Sequence, residues 1–153
     1  MKVPKIRKPR ISELKKDLHL IYSWYVRLNG SKNGYNHCYT CGTAYPVLEL
    51  QCGHYHSRKN GAITYDPMNT KPQCDNCNGP YGKGMPHEYA RKLVEDYGPT
   101  VLDRLENMRK QTKKWTVDEL MTKINEYKFS VSEILQVEKK AKVSARLLKF
   151  LER

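Results

Sequence analysis

An α+β fold is what the sequence predicts: a small zinc-stabilised ββα module embedded in a mainly helical chain. Three observations lead there. Cys38-x-x-Cys41 and Cys74-x-x-Cys77 are two thiol pairs at the spacing of zinc knuckles. The span between them is rich in His, Asn and Gly, and its LELQ run, residues 48–51, has the length and flanks of a short strand. Outside the knuckles, apolar residues recur at helical spacing.

Taken in order, residues 2–10 carry five Lys or Arg, two prolines and no acid, and read as an extended basic arm that is either a phosphate-contacting tail or disordered. From Ser12, placed as an N-cap, Leu14, Leu18, Ile21, Tyr22 and Tyr25 mark an amphipathic helix stopped by Asn29-Gly30. Trp24 and Tyr25 lie on or beside its apolar stripe and are assigned to the core, while His19 is assigned to its surface. SKNGYN reads as a turn-rich loop, Gly61–Asn69 as an irregular one, and Cys74–Asn78 as a short turn or helix interrupted by Gly79-Pro80.

Pro86–Tyr97 reads as a helix with Pro in its first turn and Gly98 as its stop, and Pro99 to about Lys110 as another. Thr116-x-x-Glu119 is a capping box for a helix to about Phe129, and Ser130-x-x-Glu133 a second box for a longer helix towards the C-terminus. The organisation expected is a basic arm (1–10), an N-terminal helix (11–30), a zinc-containing module with its following helices (31–112) and a basic helical region (113–153).

The chain has 153 residues and a net charge of +12, with 39% hydrophobic and 29% charged residues. One modest domain with a thin core fits that length, and a structural metal would help it. The positive charge points to a polyanionic partner, nucleic acid first, because every phosphate neutralised releases counterions. MKVPKIRKPR is followed by no apolar run, so it is not read as a secretory signal, and nothing further on is apolar enough for a membrane span. Four of the five cysteines pair as C-x-x-C, and without an export signal they read as metal ligands in a reducing cytoplasm. Four thiolates at ~2.3 Å make a closed structural Zn²⁺ site, which explains stability and not chemistry. Cys52 reads as a small buried residue.

Between the knuckles lie His54, Tyr55, His56, Ser57, Arg58 and Lys59, then Asn69, with Asn78 directly after Cys77. Phosphodiester hydrolysis needs a base for water, a cation on the phosphate and a positioned pocket. An imidazole, amide oxygens and an arginine could supply the protein's share. This arrangement resembles the HNH endonucleases. The resemblance implies His54 as general base, Asn69 as the asparagine that pins the loop and orients that base, and Asn78 as a metal ligand on the following helix. G-H-Y-x-S-R at 53–58, Tyr65-Asp66-Pro67-x-Asn69, Gln73-Cys74-x-x-Cys77-Asn78, Glu88-Tyr89 and Tyr97-Gly98 resemble, more closely, the phage NinG (Rap) recombination nuclease family, over about Cys38 to Leu105. That resemblance implies a phage- or prophage-encoded, metal-dependent nuclease selective for branched DNA, with Mg²⁺ or Mn²⁺ at the catalytic site.

Many HNH sites place Asp directly before the base as a metal ligand, whereas this chain has Gly53. His56, Asp75 and Glu88 are the candidates to help Asn78 there, and strand alternation would put His56 on the face of His54. His37 and His87 read as surface residues, although His37 beside Cys38 could compete for zinc. Arg58 is expected to clamp a phosphate with its planar fork, and Lys59 either faces the backbone or is a solvated turn residue.

Arg109, Lys110, Lys113 and Lys114 form one cationic cluster, with Arg109 and Lys110 taken as DNA contacts. Lys139, Lys140, Lys142, Arg146 and Lys149 form another along the last helix, which could dock on the core, pair two copies of the chain as a homodimer, or lie along DNA. The alternative to a nuclease is a non-catalytic zinc-dependent DNA-binding module.

Overall fold

A computed structural model of the chain describes residues 8–153. Most of the expected basic arm, residues 2–7, lies outside the described residues. Helix α1 (Ile11–Leu28) is followed by β1 (Tyr35–His37), β2 (Ala44–Pro46), β3 (Leu50–His54), β4 (Thr70–Cys74) and the single turn α2 (Asp75–Asn78). Helices α3 (Pro86–Tyr97), α4 (Val101–Arg109), α5 (Val117–Val137) and α6 (Ala145–Leu151) complete the chain. The class is α+β: helices around two antiparallel two-stranded sheets, β1–β2 and β3–β4.

Helix α1 begins two residues earlier than a Ser12 cap would place it. Arg10 is the cap, and its backbone N–H donates to the Glu13 carboxylate at 3.1 Å. Leu14, Leu18, Ile21 and Tyr22 are buried against Leu120, Ile124 and Val131 of α5 and Leu147 and Phe150 of α6. The first helix and the C-terminal region thus share one apolar layer. Trp24 is buried in it and Tyr25 packs against it.

The second capping box does not form. Ser130 sits inside α5 with its hydroxyl donating to the Glu126 carbonyl at 3.0 Å, and the helix runs on to Val137 because its apolar stripe continues through Val131. The last helix is therefore short, capped by Ser144, and Lys139, Lys140 and Lys142 lie in the connection before it. Thr116 does cap α5, accepting from Glu119 N–H at 3.2 Å.

The strand expected at 48–51 lies instead at Leu50–His54, since Leu48 and Glu49 turn off β2, where Glu49 N–H donates to the Pro46 carbonyl. β3 pairs with β4 so that His54 faces Thr70, Cys52 faces Pro72 and Leu50 faces Cys74. This hairpin separates two apolar clusters. Cys52 and Tyr65 pack on the α1–α5–α6 layer, while Tyr55 and Met68 pack on Tyr89, Leu93, Val101 and Leu105 of α3 and α4. Between the hairpin and α3, Lys83, Gly84 and Met85 all take left-handed backbone conformations, φ 50°, 85° and 50°. Such a run persists only where its surroundings over-determine it. Here Gly84 N–H donates to the Cys77 carbonyl at 2.8 Å, and Gly82 approaches the same carbonyl so closely that a Cβ would lie 2.3 Å from it.

Candidate functional site

The two knuckles meet where the hairpins touch. The sulfurs of Cys38, Cys41, Cys74 and Cys77 all lie within 4.8 Å of one another, and Cys41 Sγ is 4.0 Å from Cys74 Sγ. A tetrahedron with ~2.3 Å bonds has edges of about 3.8 Å, so these four thiols could bind one zinc ion with little adjustment. Their protonation fits that use. Burial opposes ionisation of Cys38, but the N–H groups of Cys41, Cys74 and Thr40 and the Thr40 hydroxyl overcome it and hold its pKa at about 6. Cys77 is pushed up to about 12, first by burial and then by its sulfur neighbours. Only a cation lets all four ionise together. His37 is exposed and outside this group.

At its far end β3 presents His54. The Nε2 of His54 lies 3.0 Å from the Thr64 carbonyl, which can only accept, so Nε2 carries the proton and Nδ1 the lone pair. Burial lowers the His54 pKa below its ordinary value; the Thr64 and Cys52 carbonyls favour the protonated ring, and His19 and Arg58 disfavour it. The ring is therefore a neutral base at pH 7 whose protonated form has carbonyls to meet it. Thr64 is in turn pinned, its hydroxyl donating to the carbonyls of Arg58 at 2.9 Å and Asn60 at 2.5 Å.

Asn69 is fully buried at the loop's other end. Its Oδ1 accepts from His56 N–H at 2.8 Å, and its Nδ2 donates to the carbonyls of His56 at 3.0 Å and Ile63 at 3.1 Å. Asn69 thus clamps the loop backbone, while the His54 ring itself is held by Thr64. The Tyr65-Asp66-Pro67 stretch makes the turn before it: Asp66 Oδ1 accepts from Met68 N–H at 2.8 Å and its carbonyl from the Thr70 hydroxyl at 2.9 Å.

Asn78 ends a short relay. Gln51 Nε2 donates to the Asp75 carboxylate at 2.8 Å, which fixes the Gln51 amide so that its Oε1 accepts from Asn78 Nδ2 at 2.6 Å. That leaves Asn78 Oδ1 as the oxygen with which this side chain could meet a cation. His54 and Asn78 line one cleft of about 500 Å³, together with Arg27, Arg58 and Lys83. His19 of α1 lines it too. Arg58 Nη1 lies 3.2 Å from His19 Nε2; a guanidinium only donates, so His19 is neutral here. Burial first, then Arg58 and Arg27, lower the pKa of His19. Arg27 lies 3.6 Å over the Trp24 ring and donates to the Leu50 carbonyl at 3.2 Å. Among the described residues no carboxylate lines this cleft.

The other expected site residues lie elsewhere. His56 comes after β3 has ended, so strand alternation no longer governs it. Its Nε2 is 3.7 Å from Glu106 of α4, and it does not line the cleft. Arg109 and Lys110 gather on the same carboxylate, at 2.6 and 3.8 Å. Asp75 enters only through Gln51, and Glu88 is not among the lining residues. Lys59 lines an adjoining recess beside Arg58. Cys52 reaches the cleft as a neutral thiol, pushed up to about 12 by burial. The reading of His19 as an ordinary surface residue is corrected: it is half-buried in the cleft. Its sequence signal is the spacing Lys15, His19, Ser23, Arg27, a polar row at i, i+4 beside the apolar stripe. Thr64 gave no such signal, because it acts through its backbone carbonyl.

A family model described as bacteriophage lambda NinG protein matches residues 2–138. The chain belongs to the NinG family. NinG proteins are phage recombination proteins, so the cleft and the four cysteines belong to a chain of that background. No curated protein and no solved structure matches the chain. The NinG match includes every residue of the cleft and stops before α6. Among the described residues no helix is long and apolar enough to cross a membrane.

Proposed function

We propose that this NinG-family chain is a metal-dependent DNA endonuclease of HNH type, acting on branched recombination intermediates. The observation that carries the proposal is His54: a neutral imidazole with its Nε2 proton committed to Thr64, opening with Asn78 onto a cleft whose charged side chains are all cationic. His54 takes a proton from water, the water oxygen attacks phosphorus, and the P–O bond to the leaving strand breaks, its electron pair staying on the leaving oxygen, which takes a proton from solvent water. Arg58, Arg27 and Lys83 meet the phosphate oxygens, with Arg58 released from His19 to do so. Asn69 keeps the loop, and through it Thr64, in register. A divalent cation, Mg²⁺ or Mn²⁺, would offset charge on the phosphate. Asn78, phosphate oxygens and water would hold it, because Gly53 and the missing carboxylate leave little else. Specificity would come from the shape of the DNA more than from base edges.

One observation favours a second reading. A cleft with three cationic side chains and no carboxylate suits a phosphate better than a free cation, which is what a zinc-held DNA-binding module without catalysis would need. Cleavage of a labelled four-way junction, a flap and a linear duplex, with Mg²⁺, Mn²⁺ or no added divalent metal, separates the two. The expected result is metal-dependent cutting, fastest on branched DNA, that falls by roughly 10² or more in His54→Ala while zinc content and junction binding persist. Intact DNA at every metal, with binding retained, would leave the binding module.

A further inference from the structure

The cleft does not end at Arg58. A second recess begins where it stops, sharing His19, Ser23 and Arg58 with it and adding Lys15, Lys16, Lys59 and Arg146. A third continues from Arg146 and Leu20 along α6 to Lys149 and Arg153. Among the described residues the one carboxylate lining any of the three is Asp17, which lies 3.8 Å from Arg153.

The floor of this path is the polar row of α1. Lys15, His19, Ser23 and Arg27 follow one another at i, i+4, with Leu14, Leu18, Ile21 and Tyr22 buried beside them. At ~1.5 Å per residue the row spans about 18 Å, the length of about five base pairs at ~3.4 Å each. A solvated helix face would leave its polar residues fully exposed. Here His19, Ser23 and Arg27 are half-buried along a recess whose rims carry lysines and arginines from the loop after β3 and from α6. Arg109 and Lys110, in contrast, are spent on Glu106.

We infer that the α1 row and the exposed cations of α6 form a phosphate rail that carries the backbone of duplex DNA away from the cleft. The α6 end lies beyond the residues matched to the family, so this chain holds the arm of its substrate with a segment outside the NinG match. The inference rests on the nuclease reading only for what happens at the cleft. Binding is its own readout.

The test is anisotropy of a labelled linear duplex, titrated over a range of salt without Mg²⁺ or Mn²⁺, so a chain that never cuts still answers. Three double variants are compared with wild type: K15Q/K16Q, R146Q/K149Q and, as the control, R109Q/K110Q. All six side chains are exposed, and zinc content with far-UV circular dichroism verifies each fold. Each lost phosphate contact flattens the slope of log K against log salt by about 0.9. The first two variants should each flatten it by about 1.8 and the control by much less. Unchanged slopes in both rail variants, a control that loses as much as either, or a wild type without salt-dependent binding would overturn the rail. A loss confined to K15Q/K16Q would overturn its extension over α6.

Discussion

The helical layer and the four-cysteine cluster hold the same hairpin by opposite means. On one side, α1, α5 and α6 bury leucine, isoleucine, valine and aromatic side chains against each other, which is ordinary apolar burial. On the other, the buried cluster consists of Leu50 with Cys38, Cys74 and Cys77, flanked by Tyr45 and Met85. That is too little apolar surface to fix two hairpins, and its thiols are worth assembling only around a cation. β3 begins in the second region with Leu50 and ends with His54 at the first, so the cleft inherits its geometry from both. A small chain can thus divide the labour, placing a cysteine cluster that could bind zinc under the site and a conventional core behind it.

Breaking the cysteine cluster should have the largest effect. Structural zinc in small domains is worth on the order of 10 kcal/mol. Cys74→Ser, or zinc removal by a chelator, should abolish hydrogen-exchange protection in Leu50–His54 and Thr70–Cys74 while most helical circular dichroism persists. Simultaneous loss of the helical signal would show that the two regions are not separable. Leu18→Ala sharpens the comparison from the other side. It should cost about 2–5 kcal/mol in urea unfolding, with zinc content unchanged, because Leu18 is fully buried in the helical layer.

The smallest effect is on the seam. His19, His54 and His56 all have pKa values lowered in the fold, by burial first. The unfolded chain, with histidine pKa values near ~6.5, therefore binds protons before the folded one does. Their contribution to stability is complete above about pH 6.5 and is lost as pH falls below it towards the folded values. Thermal denaturation of the zinc-loaded chain should show a lower Tm at pH 5.5 than at pH 7.5, with a shallower decline in His19→Gln. The cleavage proposed above should share the acid limb, since His54 would have to be neutral to take a proton from water.

Much of this was legible in the sequence wherever a residue's chemistry is local. Two cysteine pairs can hardly be anything but one cluster, and Pro86 with Gly98 marks the ends of α3 as observed. β1, β2 and β4 were not legible. β4 is Thr-Lys-Pro-Gln-Cys, without apolar alternation, and it is a strand because it pairs with β3 and because its Pro72 carbonyl accepts from Tyr39 N–H at 2.8 Å. The Ser130 box misled because a capping motif acts only where the apolar stripe breaks, and that of α5 does not. His54, Asn69 and Asn78 were singled out through the family resemblance, but which group holds which could be read only in space: the Thr64 carbonyl on the His54 ring, Gln51 on Asn78, His19 on Arg58.

Gly53 has a bearing on how such a site can change over time. A Cβ there would lie 1.9 Å from Gln73 Oε1. Gln73 cannot easily step aside, being fully buried with its Nε2 donating to the Thr40 hydroxyl at 3.1 Å and the Gly84 carbonyl at 3.0 Å. Thr40 in turn touches the Cys38 sulfur at 3.5 Å. Any side chain placed at position 53, an acid included, therefore has to displace the Gln73 amide. Moving or shrinking Gln73 to make that room would loosen a brace that reaches the four-cysteine cluster. Positions 53 and 73 are coupled by packing, so what can stand beside His54 depends on what stands at 73.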